Sequence, residues 1–118
     1  MFSQIYKHLK SNGFDVYSIG QHEGICTKPY LVIKENGVSE VVGKSLVNDT
    51  VELLIYYPVG KYSELANYKK HILNTMKYLN GVRRVIDPAP TVIDDDKKAY
   101  TTSYTYRKIK MKEGRLNG

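Results

Sequence analysis

The sequence predicts an α+β domain: a mixed, mainly antiparallel sheet packed with two main helices, in the order α-β-β-β-α-β-β. Three patterns carry this reading. Apolar residues recur at the three-and-four spacing of a helix in two separate stretches. Period-two and β-branched runs bounded by Gly, Pro and Asn lie between and after those stretches. The last two of these runs are close enough in the chain to form a hairpin, and hairpin strands with interspersed helices favour helices gathered on one face of the sheet. The 118 residues fit a single domain, assigned to residues 1–112, with residues 113–118 as a flexible tail.

Each element follows from its residues. Phe2, Ile5, Tyr6 and Leu9 form the apolar stripe of a first helix. Ser11-Asn12-Gly13 stops it, because Gly readily takes the left-handed conformation that closes a helix. Residues 14–19 read as a short strand and residues 20–28 as a polar connection. Pro29 then opens Tyr30-Leu31-Val32-Ile33-Lys34, a run of the kind buried on both faces. Asn36-Gly37 signals a turn, and residues 37–44 are expected to form a flexible loop. Residues 46–57 read most clearly as a strand: Val47, Val51, Leu53, Ile55 and Tyr57 share one parity, while Asn48, Thr50 and Glu52 share the other.

Pro58-Val59-Gly60 ends that strand, and Ser63 is the expected cap of a longer helix reaching Asn80-Gly81. Leu65, Tyr68, Ile72, Met76 and Leu79 form its inner stripe, with Lys69, Lys70, Asn74 and Lys77 outside. Asp87-Pro88-Ala89-Pro90 is an extended bend. Residues 91–93 make a brief strand and residues 94–98 a polar turn. A final strand over residues 99–111 sets Tyr100, Thr102, Tyr104 and Tyr106 on one face.

Composition narrows the function classes. One Cys excludes an internal disulfide, and with three His it excludes a closed four-ligand zinc site within one subunit. The longest apolar run, residues 53–57 with both tyrosines counted, falls far short of the roughly 20 residues that cross a bilayer. The first twelve residues lack the uninterrupted apolar core of a signal peptide. An intracellular protein with no membrane partner is expected. Residues 1–60 carry 5 Lys/Arg against 6 Asp/Glu, and residues 61–118 carry 13 against 6. The halves are therefore −1 and +7, so anionic partners are conceivable for the second. Eleven Tyr and no Trp suit surfaces that alternate between wet and buried, including subunit interfaces.

The sequence carries few candidates for chemistry. His22-Glu23 with Cys26 is the one cluster resembling a nucleophile and its base, but no orienting third group accompanies it. Asp94, Asp95 and Asp96 lack the spacing of a calcium loop. Gly20, Gly24, Gly37 and Gly43 form neither GxGxxG nor a P-loop. A non-enzymatic protein without cofactor or metal is expected. Arg83-Arg84 and the C-terminal Arg107, Lys108, Lys110, Lys112 and Arg115 lie near Tyr100, Tyr104 and Tyr106 in the chain. Cations beside aromatic platforms are what single-strand binding needs, so a small basic nucleic-acid-binding module is the alternative reading. Arg83, Arg84, Lys110 and Lys112 are its candidate DNA-facing residues.

Several stretches resemble a known family. Ile5-Tyr6-Lys7-His8-Leu9, Asp15-Val16-Tyr17-Ser18, Gly20-Gln21-His22-Glu23-Gly24 and residues 26–34 are followed by Leu54-Ile55-Tyr56-Tyr57-Pro58 and Tyr62-Ser63-Glu64-Leu65, ending near Tyr106-Arg107. Together they are similar to the tail terminator, or tail-completion, proteins of phages and prophages of Gram-positive bacteria. The resemblance implies a virion structural protein of the tail neck, made in the host cytoplasm, with the mixed sheet and flanking helices of lambda-type terminators. It further implies a subunit that can be monomeric in solution and assembles as a hexameric ring on the tube end. There it would stop tube polymerisation and meet the head connector. The partners so implied are further copies of the chain, the tail tube protein, the connector or neck protein, and DNA passing non-specifically through the ring. A head-to-tail ring needs two complementary surfaces, which the oppositely charged halves can supply. The candidate interface comprises Tyr100, Tyr104, Tyr106, Arg107, Lys108, Gly37, Val38 and Lys44, with Arg83, Arg84, Lys110 and Lys112 toward the lumen. The long basic C-terminus departs from the family pattern.

Overall fold

The computed structural model describes residues 1–40, 45–85 and 89–111. It has the expected α+β architecture: helix α1 (Phe2–Ser11), strands β1 (Val16–Ser18), β2 (Tyr30–Glu40) and β3 (Leu46–Pro58), helix α2 (Tyr62–Lys77), then β4 (Arg83–Val85), β5 (Val92–Asp94) and β6 (Ala99–Met111). The sheet runs β1-β2-β3-β6-β4, with β5 also paired to β6. Only β1 and β2 are parallel; the other pairs are antiparallel. Neither helix is long and apolar enough to cross a membrane.

The helix stripes and one parity of the strands make a single core. Ile5 and Leu9 of α1 and Leu65, Ile72 and Met76 of α2 meet Leu31, Ile33, Val51, Leu53, Ile55 and Tyr106 of the sheet. The proton on His8 Nε2 is donated to the Thr75 carbonyl at 2.7 Å, which ties the helices together. Gly13 closes α1 at φ +88, as its sequence context requires.

The other sheet face carries a smaller cluster, because residues 19–29 fold across it. Cys26, Tyr30, Val32 and Ala99 are buried there, with Tyr17, Leu54 and Tyr56 against them. This cover is why Tyr30, Leu31, Val32 and Ile33 are all buried although they alternate faces.

Some expectations need correction. Residues 37–40 are not a loop; they continue β2, with a bulge between Glu35 and Gly37 and Gly37 at φ +98. The long β3 supplies a ladder that outweighs the turn propensity of Asn36-Gly37. The rest of that expected loop lies outside the described residues, as does the tail over 113–118. Lys61, not Ser63, occupies the N-cap of α2, and no side chain caps that end. The helix stops at Lys77, four residues before Gly81. The first strand is shorter than residues 14–19, and the brief strand predicted over 91–93 begins one residue later. An unpredicted short strand, β4, follows α2 and pairs with residues 105–107 of β6.

Candidate functional site

The molecule is elongated, 55 × 26 × 25 Å, with a radius of gyration of 15.7 Å against about 13 Å for a compact chain of this length. The cause is the unequal length of helices and strands. The helix-packed core cluster reaches Val51 and Tyr106, but β3 continues through buried Val47 to Leu46 and β6 to Met111, paired all the way. Those five residues of β3 add about 17 Å at the usual strand rise. Residues 34–40 of β2 are all exposed. The outer part of β2-β3-β6 is therefore a three-stranded arm projecting past the core.

Both outer edges of this arm are open among the described residues. β1 pairs only with Leu31, Val32 and Ile33 of β2, so no strand flanks residues 34–39. β4 pairs with Arg107, Tyr106 and Thr105 of β6, so none flanks residues 108–111. The two edges differ in charge. Over the open stretches, residues 34–39 carry Lys34 and Glu35, a net 0, whereas residues 108–111 carry Lys108 and Lys110, a net +2. Lys110 donates to Asp49 at 3.3 Å and Lys34 lies 3.9 Å from Glu52, ion pairs that anchor side chains across the arm. Exposed Val38 and Ile109 sit on the same two outer strands.

The predicted interface residues divide between this arm and the core. Gly37, opposite Thr50, and Val38, opposite Asp49, lie on the β2 side of the arm. Arg107 is exposed at its base, and half-buried Lys108 donates to Gln4 Oε1 at 3.1 Å. Tyr106 is not at a surface. Its parity sets it beside Val51 under the helices, where it is 3% exposed, and burial pushes its phenol up to about 12. Its hydroxyl has no hydrogen-bond partner among the described residues. Tyr100 is half-buried, edge-on to Tyr62 at 5.1 Å. Lys44 and Lys112 lie outside the described residues.

Tyr104 realises the predicted proximity of aromatic and cation. The Arg84 guanidinium stands 5.4 Å from its ring centroid and Lys69 Nζ 5.9 Å, each within cation–π range. Beside it, β4 places Arg83 directly opposite Arg107 in the ladder. Arg83, Arg84 and Arg107, with Lys77 of α2, line a cleft of about 580 Å³ floored by Met76, Val82 and Tyr106. The arginines and Tyr106 stand out in the sequence, but the pairing of Arg84 with Tyr106 and of Arg83 with Arg107 does not, because β4 is too short to show a strand pattern.

The remaining candidates occupy the opposite face and the hairpin turn. The His22 ring stacks on Tyr30 at 3.8 Å, and Tyr30 stacks on Tyr56 at 4.7 Å. The Cys26 thiol donates to the Lys28 carbonyl at 3.2 Å, and burial raises its pKa. No hydrogen bond joins His22 to Cys26 among the described residues, so the arrangement that activates a cysteine nucleophile is not present there. Asp94 Oδ1 accepts from the Lys97 amide at 3.1 Å, which orders the β5-β6 turn. No group of three or more His, Cys, Asp or Glu among the described residues is placed to hold a metal ion.

No protein-family model matches the chain, and a search of curated proteins gives no match.

Proposed function

We propose that the chain is a structural, ring-forming subunit that caps a phage tail tube, ends its polymerisation and receives the head connector. The observation that carries this reading is the arm with two open sheet edges of different charge. An open edge is a template for strand addition. Two different edges on one subunit favour heterologous, head-to-tail contact, which closes as a ring when the rotation permits. β2 and β6 are each antiparallel to β3 and so run in the same direction. A rotated second copy can set its β6 edge parallel to the β2 edge of the first and continue the sheet. Charge favours that pairing over the symmetric one: β6 against β2 sets +2 against 0, whereas β6 against β6 sets +2 against +2. The sequence resemblance supplies the place of the ring, at the tube end. The neck of the virion is accordingly its proposed location, and the tube and connector proteins its proposed partners.

The test is electron microscopy of tails assembled with and without the protein. Overlong, headless tails in its absence, corrected by adding it back, are the expected result. Tails of normal length that join heads without it would overturn the reading.

A further inference from the structure

We propose that a pocket on the sheet face away from the helices binds a small aromatic acid, a flat ring carrying a carboxylate. The strand register brings its walls together. Tyr30, Val32 and Lys34 alternate onto one face of β2, and Tyr56 and Leu54 stand directly opposite Tyr30 and Val32 on β3. His22 lies on the same face, stacked on Tyr30 at 3.8 Å, and so does Lys97, whose Nζ is 6.0 Å from the Tyr56 ring centroid. All of these line one pocket of about 390 Å³, bordered by exposed Ile19. That volume lies at the lower end of the roughly 300–1,000 Å³ typical of small-ligand sites. Tyr30 is held between His22 and Tyr56, which stacks on it at 4.7 Å, so the ring wall is set before a ligand arrives. Val32 and Leu54 make an apolar floor. Ring walls over such a floor suit a flat aromatic guest, which stacks offset or meets a ring edge-on. The two formally charged side chains that line the pocket are Lys34 and Lys97. Their apolar stems can lie along its walls while the ammonium groups reach its mouth. Lys97 has no ion pair with a described carboxylate, and Lys34 is held only by an exposed pair with Glu52 at 3.9 Å, which is weak. Two carboxylates oppose an anion, Glu52 and the Asp94 that accepts from the Lys97 amide, but neither lines the pocket.

The site does not depend on the ring reading, and it is tested on the free full-length chain. The chain has no Trp, so the fluorescence of an indole probe, excited where tyrosine does not absorb, is read without background from the protein. Wild type, Leu54→Glu and Lys97→Gln are titrated into N-acetyltryptophan, which carries a carboxylate, and into N-acetyltryptophanamide, which does not. Far-UV circular dichroism checks folding. Wild type should shift the emission of the acid to shorter wavelength in a saturable way and bind the amide more weakly. Leu54→Glu should weaken both probes about tenfold or more, because a carboxylate on the floor holds water there and disfavours an apolar ring. Lys97→Gln should weaken the acid about fivefold, the upper end for a solvent-exposed ion pair, and leave the amide unchanged. Lys97 is outside the core, so its variant carries the test if Leu54→Glu is unfolded. The proposal is overturned by no saturation at up to about 1 mM chain, the weak end of specific affinities. Equal affinity of the wild type for acid and amide, or undiminished binding of the acid by Lys97→Gln, also overturns it.

Discussion

Removing the Tyr106 hydroxyl should stabilise the protein, the reverse of most core substitutions. The hydroxyl is buried without a partner among the described residues, a state that costs about 1–3 kcal/mol. Tyr106→Phe deletes that donor and leaves the ring against Val51 and the helices. A gain of about 1 kcal/mol at pH 7 should raise Tm by roughly 3–6 °C for a chain of this size. The pH dependence is a second, independent signature. Burial raises the phenol from 10.0 to about 12, so the folded protein holds this proton more tightly than the unfolded chain does. The stability this group contributes is therefore complete below pH 10 and falls as pH rises through 12, by about 2 kcal/mol at pH 12. The variant lacks that loss, and its advantage should widen between pH 10 and pH 12. Thermal melts followed by circular dichroism from pH 7 to pH 12 measure both effects. A lower Tm for the variant at pH 7, or a constant difference across the alkaline range, would refute the reasoning.

Other substitutions separate the core, the helix stop and the arm. Leu53→Ala opens a cavity at a fully buried position and should cost about 2–5 kcal/mol in denaturant unfolding, a large share of the stability of a domain this size. Gly13→Ala meets no atom within 4 Å, so its cost is the left-handed backbone alone, about 1 kcal/mol by the same assay. Lys110→Glu breaks an exposed pair with Asp49 and should change monomer stability by under about 1 kcal/mol. It should nonetheless reduce self-association in sedimentation experiments on tube-bound protein, and Glu35→Lys in the same chain should restore part of it.

The legibility of the fold differed by element, for physical reasons. Where burial has one period, as with Ile5 and Leu9 or Val51, Leu53 and Ile55, the pattern in the chain is the packing in the molecule. The β2 arm was hidden because an exposed strand needs no apolar alternation; residues 34–40 read as polar, and Asn36-Gly37 imitates a turn. β4 was hidden because its three residues gain their conformation from β6. The sequence marked Arg83, Arg84, Arg107 and Tyr106 as notable, yet which of them meet depends on the Arg83–Arg107 register, a nonlocal fact. Tyr106 shows the converse ambiguity: the same parity that suggested an interface serves the core, and only the position of the helices decides between them.

The contact between arms is the step on which the ring account rests, and a cysteine pair reads it directly. Ser39→Cys on the β2 edge and Ile109→Cys on the β6 edge lie on strands that do not pair with each other within one chain. Crosslinking them on tube ends capped by the protein should produce a ladder of covalent multimers that stops at one closed size and disappears when either cysteine is omitted. Capped tubes that yield only monomer would contradict the proposed edge-to-edge ring.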